Sequence, residues 1–333
     1  MFYLMNHTNQ YSADRREIIP LFFAVDDRYA PFLCVALRSI IEHASPDCCY
    51  HVNILIEELS SRHMRRLAAF GCDNVVVEFI NVGEKLDRLG GSRLHLRDYY
   101  TRATYYRFFV PDLFPQYDRG LYLDCDIVVL DDIANLYRID LGDNLVAAAP
   151  EEVMERVDVF GTYVEEALRI PRHEYFSAGI LLMNLAELRR FDIEGRFSRL
   201  LSFRKYRVTQ DQDYLNLLCR GRVRIFDSSW NRTAFPDADT SEVPHIIHYK
   251  INWKPWHYRG ISFENYFWHY ARQTDAYEEL LDMRDRFGEE DRAEEARQYD
   301  RLVELALQET ADARAPGFVP PDVFLKKMAA ERN

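Results

Sequence analysis

Between Ile18 and Ile80 the apolar pattern changes period four times. Ile18–Val25 is a continuous apolar run of strand length. Ala30–Ala44 then places Phe32, Val35, Ala36, Ile40 and Ile41 close to a 3.6-residue spacing. Val52–Ile56 is a second strand, Ser60 opens a helix reaching about Phe70, and Val75–Ile80 is a third strand. Strand and helix alternating in this way predict βαβ units, hence an α/β chain built on a parallel sheet. Further strands are expected at Gly120–Val129, Leu145–Ala149, Gly179–Met183 and Ile246–Tyr249. Helix is expected at Gln210–Cys219 and at Thr101–Phe109, where Pro111 stops it. The three glycines of Gly83–Ser92 mark a loop. Pro150–Arg172 and Trp230–Val243 exceed ordinary connections and read as binding loops.

A chain of 333 residues with 48% hydrophobic content can bury one large core or two ordinary ones. Lys+Arg 42 against Asp+Glu 54 leaves a net charge of −12, which argues against a nucleic-acid partner. It does not exclude a phosphorylated small molecule, which needs only a local cation. Six cysteines form no CxxC pair, and the apolar start Met1–Met5 is too short for a signal h-region. No apolar run is long enough to span a bilayer. These features read as a reduced, cytoplasmic protein and leave room for peripheral membrane contact. From Arg272 onward, Lys+Arg 10 against Asp+Glu 16 carry half of the negative balance. Tyr299, Leu302, Val303 and Leu307 fall on one helical face there. The expected division is a main unit at 17–271 and an acidic helical appendage at 272–333.

Four clusters have residue types suited to chemistry. Asp124-Cys125-Asp126 lies between the apolar runs Leu121–Leu123 and Ile127–Leu130. Two carboxylates at the end of a strand can take a divalent cation and through it a diphosphate. A pair of loop carboxylates without metal is the plain alternative. Two other DxD triplets, Asp211–Asp213 and Asp237–Asp239, lack that strand-end setting. His248-Tyr249-Lys250-Ile251-Asn252-Trp253-Lys254 offers an imidazole, which with carboxylates suits Mn²⁺ better than Mg²⁺, and a lysine able to neutralise phosphate. Asp26 and Tyr29 follow the first strand, where an aspartate can accept from a base N–H and a tyrosine can stack; an N-cap explains one aspartate equally well. Thr209–Asp213 opens a helix and is also readable as a capping run.

In order along the chain, these residues resemble glycosyltransferase family 8. The matching stretches are Ala24–Ser39, Thr104–Phe108, Leu121–Leu130, Leu141–Asn144, Tyr175–Leu185, Gln210–Asn216 and His248–His257. The resemblance implies a GT-A fold, a Rossmann-like nucleotide-sugar-binding domain with a mixed central sheet, followed by the helical appendage. It implies that Asp124, Asp126 and His248 hold Mn²⁺, with Mg²⁺ as a substitute, and that the metal bridges the diphosphate of a UDP-sugar. Asp26 would read the uracil and Tyr29 would stack on it. Arg107 would contact the donor, Lys254 the diphosphate, and Asp211 and Gln212 the donor sugar as the catalytic pair. The implied acceptor is a saccharide, glycolipid or other glycan. Arg28, Ser177, Glu151 and Ile251 depart from the family pattern around the sugar and the phosphates.

The implied reaction is transfer of glucose or galactose to an acceptor hydroxyl with retained configuration, in lipopolysaccharide or other cell-surface glycan synthesis. Because Gln212 is a poor nucleophile, front-face substitution is favoured over a glycosyl-enzyme. Two alternatives stand beside it. Asp124 and Asp126 also fit a haloacid-dehalogenase-like phosphatase, as nucleophile and general acid. The third reading is a nucleotide-sugar-binding protein without turnover.

Overall fold

The computed structural model describes residues 16–88 and 101–330, so the expectations for Met1–Met5 and for the end of the Gly83–Ser92 loop lie outside the described residues. Strands β1 (Glu17–Ala24), β2 (Cys48–Ile56) and β3 (Val75–Asn81) are joined by helices α1 (Ala30–His43) and α2 (Ser61–Ala68). They pair in parallel, as the alternation predicts. Ser60 caps α2 by accepting from the backbone N–H of His63. The expected glycine loop instead begins as a helix, α3 (Gly83–Arg88). The Asn81 side chain accepts from the Gly83 N–H at 2.9 Å, and Leu86 is buried. This Asx-type contact satisfies one of the amide groups that a helix start leaves unpaired.

Residues Arg102–Phe108 form a 3₁₀ turn rather than an α-helix. Pro111 does not stop a helix; it sits in the first turn of α4 (Val110–Leu113), where its missing N–H costs nothing. The expected strand Gly120–Val129 is two strands, β4 (Arg119–Leu123) and β5 (Ile127–Val129), which belong to different sheets. After α5 (Ile133–Tyr137) and β6 (Val146–Pro150), the expected binding loop is mostly helical. It holds α6 (Glu152–Arg156) and α7 (Asp158–Glu166). Strand β7 (Phe176–Asn184) leads to α8 (Leu185–Phe191), α9 (Ile193–Phe203) and α10 (Asp211–Cys219). Three short strands follow, β8 (Val223–Ile225), β9 (Arg232–Thr233) and β10 (Ile246–His248). The chain continues with α11 (Glu264–Ala271), α12 (Tyr277–Arg286), α13 (Glu289–Arg314) and α14 (Pro321–Ala330).

The main sheet has the order β3-β2-β1-β4-β7-β6-β8, and only β7 runs antiparallel to its neighbours. A small sheet, β5-β10-β9, continues from it. The central strands β1, β4 and β7 are covered on both faces and read as largely apolar runs, whereas the edge strands β3 and β8 carry exposed Glu78 and Arg224. Leu21, Phe23, Leu121, Leu123, Ile180 and Leu182 enter the core packed on α1. Phe22, Tyr122, Leu181 and Met183, one residue out of phase, enter the core on the opposite face. Ala276 and Leu280 of the α12 segment join the first core, and Ala306 and Ala313 of α13 join the second. Tyr299, Leu302 and Val303 pack there as expected, whereas Leu307 is 56% exposed and leaves that face. Among the described residues, no helix is long and apolar enough to cross a membrane. All six cysteines are free, and burial pushes the Cys34 and Cys219 thiols up to about 12.

Connections from β1 run towards β3, then return to place β4 on the other side of β1. The crevice outside the carboxyl ends of β1 and β4 is therefore the switch point at which an open α/β sheet binds ligands.

Candidate active site

Asp124 and Asp126 lie where the main sheet passes into the small one. The Asp124 N–H donates to the carbonyl of Gly179 at 2.8 Å, and the Asp126 carbonyl accepts from the Tyr249 N–H at 2.9 Å. The antiparallel register sets His248 opposite Ile127, beside Asp126. His248 Nε2 is 3.1 Å from Asp126 Oδ1 and 3.8 Å from Asp124 Oδ2. One ligand atom from each of the three residues lies within 4.8 Å of the others. On its far side, His248 Nδ1 is 2.9 Å from Asn231 Oδ1. An amide oxygen only accepts, so this contact puts the ring proton on Nδ1 and leaves the Nε2 lone pair facing the carboxylates. A Cβ on Gly179 would overlap His248 Cε1 and lie 2.7 Å from Asp124 Oδ2. Two carboxylates and an oriented imidazole fit a first-row divalent cation.

Charge is concentrated around this cluster. Burial pushes the Asp124 carboxyl up, opposed by Arg107 and His248. Burial acts on Asp126 too, but Lys254, with Nζ 3.1 Å from Oδ2, and His248 hold it well below the usual carboxylate range. Arg107 is buried and reaches two aspartates, Asp124 Oδ1 through Nη2 and Asp211 Oδ2 through Nε, each at 3.0 Å. It also donates to the Ala178 carbonyl and lies over the Tyr122 ring. Asp211 accepts from Thr104 Oγ1 at 2.5 Å, and burial pushes its carboxyl up to about 6. Gln212 Oε1 accepts from the Ala178 N–H at 2.8 Å.

Asp26 and Asp27 divide two structural tasks. Asp26 Oδ1 accepts from the N–H groups of Arg28 and Tyr29, each at 3.0 Å, closing the turn into α1. Asp27 Oδ1 takes the Ser60 N–H and His63 Nδ1, each at 2.9 Å, tying the start of α2. Asp26, Tyr29, Arg107, Asp124, Asp126, Asp211, Gln212, His248 and Lys254 all line one cleft. Of the carboxylates in the two competing triplets, only Asp211 lines the cleft. Asp213 is buried behind the cleft, Asp237 pairs with Arg156 on the surface, and Asp239 Oδ1 accepts from the Ser241 N–H.

The family model Glycosyl transferase family 8 matches residues 20–260. The chain belongs to glycosyltransferase family 8. It is 26% identical over 252 residues to a putative glycosyltransferase of Haemophilus influenzae, covering 75% of this chain and 72% of that protein. Against the lipopolysaccharide 1,3-galactosyltransferase of Salmonella typhimurium it is 27% identical over 274 residues, 77% of each. Among solved structures, the bifunctional glycosyltransferase WbbM aligns with a TM-score of 0.69 at 27% identity, over 80% of this chain and 52% of WbbM. The galactosyltransferase LgtC, solved with donor and acceptor sugar analogs, aligns with a TM-score of 0.64 at 28% identity, over 77% of this chain and 96% of LgtC. The fold is thus the GT-A fold and the protein a glycosyltransferase, which sets the phosphatase alternative aside.

In this family 8 glycosyltransferase, the roles of several residues in or beside the cleft are not legible in the sequence. Asn231 carried no local signal, since only the pairing of β9 with β10 brings it behind His248. Gly179 read as an ordinary strand residue. Lys250 pairs with buried Glu151 at 2.7 Å. Lys250 and the adjoining hydrogen bonds hold the Glu151 carboxyl below its usual value against the opposing effect of burial. Ile251, one of the departures from the family pattern, has φ +54°, a left-handed conformation that strains a β-branched side chain.

Proposed function

We propose that this glycosyltransferase is a retaining hexosyltransferase that moves glucose or galactose from a UDP-sugar to a glycan acceptor. The setting would be lipopolysaccharide or other cell-surface glycan synthesis, in the cytoplasm or peripherally at the inner face of the membrane. The observation carrying this reading is the convergence of Asp124, Asp126 and His248 with Asp26, Tyr29 and Lys254 at one switch-point cleft. A divalent cation (Mn²⁺, with Mg²⁺ as a substitute) held by Asp124, Asp126 and His248 would supply Lewis-acid charge against the donor diphosphate. Asp26 would receive a base N–H and Tyr29 would stack on the uracil.

The remaining steps fall to the chain's own groups. Lys254 provides a cation where the departing diphosphate gains charge, the kind of preorganised stabilisation that dominates many enzymatic rates. Arg107 holds Asp211 and Asp124 in fixed relation. Asp211 is engaged by Thr104 and Arg107, and Gln212 by Ala178, so neither is set out as a free nucleophile. This supports front-face substitution. The acceptor oxygen bonds to C1 on the side from which UDP departs, and the C1–O bond to UDP breaks with its electron pair going to the β-phosphate oxygen. The acceptor proton passes to a phosphate oxygen of the departing UDP.

The test is UDP release from UDP-glucose and UDP-galactose with Mn²⁺ or Mg²⁺. Release is expected from the native protein and should fall at least about 100-fold in Asp126→Ala, equivalent to about 2.7 kcal/mol in barrier. No release with either metal would overturn the reading. A glycosyl adduct on Asp211 detected by mass spectrometry would overturn the front-face step.

A further inference from the structure

Helix α13 lies beyond the 20–260 span matched to the family, yet one stripe of it reaches the cleft and both segments that build it. Glu295 Oε1 is 3.2 Å from His257 Nδ1, and the Tyr258 hydroxyl donates to its other oxygen. His257 and Tyr258 directly follow the Lys254–Trp256 segment. Glu309 takes Arg204 Nη2 and Arg207 Nε, each at 2.7 Å, from the segment leading into Asp211 and Gln212. Leu302, midway between the two glutamates, lines the cleft itself. Residues 295, 302 and 309 are seven apart, close to two helical turns, so they form one stripe about 21 Å long. Both glutamates are buried, at 8% and 3% exposure, a position that disfavours a carboxylate unless it is paired.

Leu302 faces an uneven cleft. Asp26, Asp124, Asp126 and Lys254 contribute charged groups to its lining, as does the Lys250–Glu151 pair. Met154 and Phe160, buried on α6 and α7, are apolar and share the cleft with Leu302. The nucleotide diphosphate belongs with the charged groups, which leaves the apolar wall to the acceptor.

We propose that α13 is part of the catalytic site: Leu302, with Met154 and Phe160, forms an acceptor subsite for a glycoside bearing an apolar group beside its receiving hydroxyl, while Glu295 and Glu309 position the two loops. This inference rests on the UDP-hexose reading above.

Acceptor-stimulated UDP release separates the two. Three acceptors are compared: methyl β-galactoside, its 6-deoxy analogue, and octyl β-galactoside below its micelle concentration. In the native protein, one of the apolar pair should show a KM at least tenfold below that of methyl β-galactoside. A gain with the 6-deoxy sugar points to a sugar methyl, and a gain with the octyl glycoside to a lipid-like aglycone. Leu302→Ser should erase the preference while KM for the UDP-sugar moves less than threefold. Leu302→Met should restore it, and Leu307→Ser, on the exposed side of the same helix, should leave all constants unchanged. UDP release that neither apolar glycoside improves, or a preference that survives Leu302→Ser, overturns the inference alone. No UDP release from the native protein under any condition overturns the underlying function and the inference with it.

Discussion

At Gly179 the space a side chain would fill is already taken by the site. Its Cβ would overlap the His248 ring and press on Asp124, and the nearby backbone carbonyl anchors the Asp124 N–H. Gly179→Ala must therefore displace at least one of the proposed metal ligands. Overpacking of this kind costs about 1–3 kcal/mol, but the larger effect should be on the cluster. Mn²⁺ affinity, followed by titration calorimetry, should fall at least tenfold while far-UV circular dichroism stays native. Unaltered affinity would mean that the three donors do not share one ion. Asn231 acts from the opposite side by fixing the His248 ring. Asn231→Ala removes that partner, and orienting groups of this type are worth about 10–100-fold in metal affinity or activity. Electron paramagnetic resonance of free Mn²⁺ gives the affinity directly; a change below threefold would show that His248 is held by its other neighbours.

Among the elements, buried Asp213 joins three segments. It accepts from Tyr163 of α7 at 2.9 Å, Tyr175 before β7 at 2.8 Å, and the Thr209 N–H before α10 at 3.1 Å. Burial outweighs these bonds and pushes its carboxyl up to about 6, from 3.8. The folded protein thus holds this proton more tightly than the unfolded chain. Its contribution to stability is fully present below about pH 4 and is lost as pH rises through about 6, amounting to roughly 3 kcal/mol at most. Asp213→Asn cannot ionise, so the stability difference from the native protein should shift in favour of the variant by up to that amount between pH 4 and 7. Urea midpoints across that range measure it. A difference that does not vary with pH would show that Asp213 stays ionised in the fold.

The β1–β3 alternation could be read because β1 and β2 are buried over most of their length, β3 is apolar apart from Glu78 and Asn81, and α1 spaces its apolar residues near 3.6. Helices α6 and α7 could not be read that way. They turn at Val157 after only a few residues each, so no single 3.6-residue stripe runs through Val153, Met154, Phe160 and Tyr163. The interruption at Asp124–Asp126 is legible, but the assignment of its two flanking apolar runs to different sheets is not, because nothing in local pattern says that Ile127–Val129 pairs with Ile246–His248. The residues that line the cleft can be singled out in the sequence by their types, their order and the family resemblance. Their support, Asn231 and Gly179 above all, became visible only with sheet register and close packing.

Considered as a whole, the molecule has its acidic C-terminal helices placed on both cores. The α12 segment packs through Ala276 and Leu280 on the α1 side, and α13 packs through Ala306 and Ala313 on the other. A unit at 17–271 and an appendage at 272–333 therefore need not unfold separately. Ligand linkage can decide this. A ligand at about 100 times its Kd stabilises the folded state by about 2.7 kcal/mol, and every region that must open with the site shares that gain. Because Glu295 and Glu309 hold the loops on either side of the cleft, α13 should share it. Hydrogen exchange of the full chain, with and without Mn²⁺ plus UDP, should show slower exchange for amides 295–310 together with those around Asp124, Asp211 and His248. Protection confined to residues before 272 would mean that the appendage opens independently, and the cleft would then lose its wall each time the helix lifted.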